Sequence, residues 1–90
     1  MIVHRVGQDT RIDYDWTDDA DQPIVVTSAV LLVDEVTAPT LIEINAAYSV
    51  ALHITAAYAI TAGNHEYKLT AIDAATGDAT ILSAGLLRVK

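Results

Sequence analysis

Ninety residues provide for one domain with a thin core, because a chain of this size buries only about 60–65% of the surface its unfolded form exposes. A net charge of −7, from five basic and twelve acidic residues, excludes the broad basic face that nucleic acid or an anionic membrane surface requires. The absence of cysteine excludes a disulfide framework, a thiol nucleophile and a thiolate metal site, and leaves packing and strand pairing to hold the fold.

Hydrophobic residues nevertheless make up 52% of the chain, and its mean hydropathy is +0.34. A thin core cannot absorb all of that apolar surface, so part of it is expected to be covered by further copies of the chain. The opening MIVHRVGQD has neither the apolar segment nor the small-residue cleavage site of a secretory signal. No apolar run reaches the roughly 18–20 residues of a membrane span. Synthesis in a cytoplasm is the expectation.

In chain order, IVHRV (2–6) predicts a short strand stopped by Gly7. TRIDYDW (10–16) follows, with Ile12, Tyr14 and Trp16 alternating against Asp13 and Asp15, the period-2 signature of a strand with one buried face. TDDADQP (17–23) is turn chemistry, since Asp side chains bond local backbone and tolerate tight turns. From Ile24 to Glu35 the chain is apolar on both faces, with Thr27 and Ser28 predicting a bend before a strand over 29–35. Such a strand is central, or is covered on its outer face. TLIEIN (40–45) predicts the next strand. In YSVALHIT (48–55), Tyr48, Val50, Leu52 and Ile54 alternate with Ser49, Ala51, His53 and Thr55. The alanine-rich 55–63 predicts a connection with one short helical turn around 55–62. HEYKLTAID (65–73) and ATILSAGLLRVK (79–90) flank AATGD (74–78), where Gly77 supplies the positive φ of a hairpin.

Each candidate for chemistry has a plainer alternative. An EF-hand register starting at Asp13 puts Asp18 at the glycine position and Ile24 at the final ligand, so that motif fails. A looser cation site of Asp18, Asp19 and Asp21 competes with a solvated turn, which is favoured, and no metal or cofactor is expected. His4, His53 and His65 lack the close spacing of a metal pair and are expected at strand edges or on the surface. Ser28, Ser49 and Ser83 fall in strands or bends and none lies in a nucleophile elbow, so no catalytic residue is assigned. Trp16 and the four tyrosines are candidates for a sugar-stacking platform. With no phenylalanine in the chain, Trp16 and Tyr67 are expected in the core. Tyr67 also suits the strand position from which a tyrosine hydroxyl bonds back to an upstream turn in sandwich domains.

GQDTRIDYDWTDDADQPIVVTSA (7–29) resembles the opening of the immunoglobulin-like domain at the N-terminus of tailed-phage baseplate upper proteins. That family shows a Gly-Asp-like start, an alternating strand, an acidic turn ending in Pro and a short L-T-G-A-like segment. ITAGNHEYKLTAIDAATGDATILSAGLLRVK (60–90) resembles the family's closing pattern of Gly, tyrosine strand, acidic Gly turn and final apolar strand. Ala20 and Asp21 stand where the family has Gly in the first turn, and Ser28 replaces a further Gly. The family continues into a long helical or trimerising region, whereas the present sequence ends at Lys90.

The expected fold is therefore all-β, a single immunoglobulin-like antiparallel β-sandwich of about seven strands over residues 1–90. The resemblance implies a non-enzymatic phage virion protein. A free-standing sandwich suits repetition over a surface, which makes a capsid decoration (cement) protein the first expectation. A tail, baseplate or head–tail junction component is the alternative, and a carbohydrate-binding or adhesion module the rival of another class. Expected partners are further copies, as a trimer, and the major capsid protein or another virion protein. Asp18, Asp19, Asp21 and Tyr58 are the expected exposed contact residues.

Overall fold

The computed structural model describes residues 1–38, 41–46 and 49–90. Eight strands run in the order β1 (Ile2–His4), β2 (Thr10–Asp15), β3 (Val26–Val33), β4 (Val36–Thr37), β5 (Ile42–Ala46), β6 (Ser49–Ile54), β7 (Gly63–Asp73) and β8 (Ala79–Val89). They form two sheets, one of five strands in the order β1-β8-β7-β3-β4 and one of three in the order β2-β6-β5. This is an immunoglobulin-like β-sandwich: the last, second-last and third strands with a short extra strand make one sheet, and the second, sixth and fifth make the other. One pairing departs from the antiparallel expectation. β1 lies parallel to β8, with Ile2, Val3 and His4 beside Leu87, Arg88 and Val89, so the larger sheet is mixed.

Alternation along the strands builds the core between the layers. Leu31 and Val33 of β3, Tyr67, Leu69 and Ala71 of β7, and Leu87 and Val89 of β8 face Val50, Leu52 and Ile54 of β6. Ile12, Tyr14 and Trp16 pack against this cluster from the second strand and its end. A small polar knot sits among them: the Tyr67 hydroxyl and Ser83 Oγ are 2.7 Å apart. Tyr14 reaches the same two groups from the opposite sheet, and burial there pushes its phenol above the ordinary value. Tyr67 thus bonds to the neighbouring strand of its own sheet, not back to an upstream turn as expected from sequence.

Four other expectations are corrected by packing. The strand expected over 29–35 begins earlier, at Val26, and the bend at Thr27–Ser28 is a bulge between Val26 and Ser28 inside it. It also stops at Val33, because Asp34 and Glu35 turn back with φ of 51° and 66°. Positive φ at both central residues makes a two-residue hairpin loop whose twist matches its flanking strands, and the result is β4, a strand the sequence reading lacked. Of the two expectations for β3 the first holds: it is central, between β7 and the two-residue β4, while its outer face is open, with Val30 38% exposed. The connection 55–62 forms no helix; Tyr58 N–H donates to Thr55 O at 3.1 Å and closes a single turn. The expected strand starts at Thr40 and Tyr48 lie outside the described residues.

These layers separate the cost of inward and outward substitutions. Leu69→Ala, at a fully buried position, should lower unfolding free energy by about 2–5 kcal/mol. Val30→Thr, on the open outer face, should change it by less than about 0.5 kcal/mol. Urea unfolding of both variants checks the difference; equal effects would contradict the assignment of faces.

Candidate interaction surface

The acidic turn is organised by its own backbone. Asp18 Oδ1 accepts N–H bonds from Ala20 and Gln22, each at 2.9 Å, and Asp18 N–H donates to Gln22 O at 2.9 Å. Asp21 takes a positive φ of 59°, a conformation Asp tolerates better than most residues. A bridge between Thr17 and Pro23 closes the loop. Asp18, Asp19 and Asp21 are all exposed, as expected, but the Asp18 carboxylate is engaged in holding the turn. Among the described residues, no group of three or more His, Asp or Glu is arranged to hold a metal ion. Tyr58 differs from its expected exposure: it is half-buried and packs against the core, while Ala56, Ala57 and Ala59 around it are exposed.

The three histidines occupy three environments. His4 lies in the edge strand β1, within the edge-or-surface expectation, but it is wholly buried and not exposed, with Nδ1 2.8 Å from Thr10 Oγ1 and Nε2 without a partner among the described residues. Burial pushes its pKa below the ordinary 6.5, against a smaller upward pull from Asp9, and so favours the neutral ring. His53 lies on the outer face of the small sheet in a run of polar contacts. Its Nδ1 is 3.1 Å from Glu43 Oε1, its Nε2 is 3.6 Å from Asp9 Oδ2, and Arg11 of β2 donates to Glu43 of β5 across the intervening β6. Bonds from His53 and then Arg11 hold the Glu43 carboxyl below its usual range. Charges of both signs here make a solvated face.

His65 ties three segments together. Its Nδ1 bonds to Asp34 Oδ2 and its Nε2 lies 2.8 Å from Thr61 O. Both partners are acceptors, so both ring nitrogens donate only when the imidazole is protonated. The bond to Asp34, followed by the one to Thr61, raises the His65 pKa, and His65 in turn lowers that of Asp34. Asp34 also accepts from Glu66 N–H through Oδ1 at 3.0 Å and donates its own N–H to Glu66 O at 2.8 Å. These bonds fasten the tight β3–β4 turn, with its two left-handed residues, to β7.

The outer face of the large sheet is of another kind. Val3, Val30, Val36, Ile81 and Leu86 are all exposed on it or along its margins. A shallow hollow of about 420 Å³ lies between Leu32, Glu35, Glu66, Lys68, Ala84 and Leu86, over the paired Tyr67 and Gly85. Sequence reading found the two-faced apolar pattern of β3 but not this surface. The surface needs the register that sets Leu32 beside Lys68 and Lys68 beside Ala84. No protein-family model, curated protein or solved structure matches this chain.

The His65–Asp34 pair sets a pH dependence with a defined sign. A raised His65 pKa contributes stability that is complete below about pH 6.5 and is lost as pH rises through the folded value. The lowered Asp34 pKa contributes above its ordinary 3.8 and fails as pH falls through the folded value. His4 acts oppositely to His65, costing stability as pH drops below 6.5. Asp34→Asn should therefore flatten the fall in melting temperature between about pH 6 and pH 9, and NMR titration should show a lower His65 pKa in the variant. An unchanged His65 titration would refute the clamp.

Proposed function

We propose that this chain is a non-enzymatic structural protein of a bacteriophage virion, attached as a decoration protein to the major capsid protein and associating with further copies of itself. The observation that carries the reading is the outer face of the large sheet, an open surface on which Val30, Leu32, Ile81 and Leu86 flank the polar Glu66, Lys68 and Thr70 of β7. A pleated sheet of five strands offers breadth instead of a cleft, which suits contact with another protein's surface better than enclosure of a small reactant. The polar groups with perturbed titration have structural partners: Asp34 holds a turn, Glu43 a cross-strand contact and Tyr14 the polar knot. The turn and core pattern similar to the baseplate upper protein domain supplies the phage setting.

Decoration works by addition of contacts. Each copy bridges neighbouring capsid subunits through a modest area, and the separation of those subunits then requires its release as well. Repetition over a symmetric shell multiplies a weak individual contact by avidity.

Fluorescently tagged protein, incubated with phage heads and with tails and imaged by electron microscopy, should bind heads in regular array. Val30→Asp combined with Val36→Asp, both on exposed positions away from β8, should weaken head binding by about tenfold or more while leaving the melting temperature within a few degrees. Labelling confined to tails or baseplates would overturn the capsid assignment. Binding to glycans without binding to any virion part would overturn the structural one.

A further inference from the structure

The edge of β8 is open over most of its length. β7 pairs with it from Ala79 to Val89, but on its other side β1 covers only Leu87–Val89. Ala79–Leu86 is thus left with unpaired backbone donors and acceptors along one side, with no neighbouring strand among the described residues. Proteins usually guard such an edge with lysine, proline or an inward-pointing charge. Here residues 79–87, ATILSAGLL, contain no charge in a chain that carries seventeen charged side chains.

The open segment also matches itself. Along β8 the ladder with β7 passes from Leu69–Ser83 to Thr70–Ile81, so Leu82 is an extra residue that reverses the alternation midway. Before it, Ala79 and Ile81 stand beside Ile72 and Thr70 on the outer face; after it, Ala84 and Leu86 stand beside Lys68 and Glu66 on that same face. An antiparallel pairing about a twofold axis between Leu82 and Ser83 sets Ala79 opposite Leu86, Thr80 opposite Gly85 and Ile81 opposite Ala84 of a second copy. Outer-face residues then meet outer-face residues across the junction, as facing residues in an antiparallel pair must. In a strand without the extra residue this register would set each outward side chain against an inward one. The pairing uses the eight open positions and ends where β1 begins to cover the strand.

We propose that two copies of this chain join through the open edge of β8, antiparallel about a twofold axis between Leu82 and Ser83, to make one continuous ten-stranded sheet. This deepens the self-association in the functional reading by naming its surface, and its test needs no virion. Failure of the pairing would leave the capsid assignment standing, and failure of head binding would leave the pairing standing. An eight-residue strand contact is smaller than a standard interface of about 800 Å² a side, so the dimer is weak and reversible.

Sedimentation velocity and native mass spectrometry over a concentration series should show a monomer–dimer equilibrium. Ile81→Lys, at an exposed position, should abolish association while circular dichroism and melting temperature remain those of the parent. A monomer at all concentrations, a trimer, or a dimer indifferent to Ile81→Lys would overturn the proposal.

Discussion

The register of β7 constrains the whole large sheet. This eleven-residue strand is paired along most of its length with β3 on one side and β8 on the other, and it sends Tyr67, Leu69 and Ala71 inward. A slip of one residue would turn Leu69 to solvent and carry Lys68 into the core, at a cost neither layer could absorb. Two further contacts pin the same strand: Tyr67 bonds to Ser83 within the core, and the Asp34 turn bonds to the backbone and ring of residues 65 and 66. Hydrophobic alternation chooses the face, and these polar contacts fix the position along it.

Burial divides the roles of groups that look alike in the sequence. His4 and His65 both lie in strands, yet one ring is wholly enclosed beside a hydroxyl while the other donates to a carboxylate and a carbonyl. Their pKa values move in opposite directions for that reason. Among the acids, Asp18 and Asp34 each stabilise a turn by accepting backbone N–H bonds, while Glu43 spans between strands to Arg11 and His53. Carboxylates so employed give local order to a chain too small to rely on its core alone.

The layers and most strand positions were legible because alternation in TRIDYDW, SVALHI and HEYKLTAID survives into the buried faces of β2, β6 and β7. The hairpin at Gly77 was legible from turn chemistry, and there Gly77 takes a φ of 78°. Asp34–Glu35 was not, since neither residue is a strong signal for a left-handed turn; the turn depends on bonds from His65 and Glu66, thirty-one and thirty-two positions away. His4 was expected at a strand edge or on the surface because, like the other histidines, it lacks the close spacing of a metal pair. Its burial follows from the parallel docking of β1 on β8, a pairing between the two ends of the chain that no local pattern announces. Of the residues expected to be exposed, the acids depend only on the turn's own chemistry and are exposed. Tyr58 depends on how the connection folds over the core, and is half-buried.

The distribution of charge bears on the pairing proposed for so acidic a chain. Apart from Glu66 on β7, the acids lie in the loops, at Asp9 and at 18–21, 34–35 and 73–78, and on the outer face of the small sheet, whereas 24–33 and 79–87 carry none. These uncharged stretches hold the two long strands that flank β7, so the large sheet's margins are its least charged parts. Repulsion between two copies each carrying −7 therefore acts mainly from a distance, where salt screens it over a Debye length of about 8 Å. In the proposed pairing the open stretch of β8 presents backbone and uncharged side chains, so the charge that opposes the approach of two copies lies away from the strand they would share.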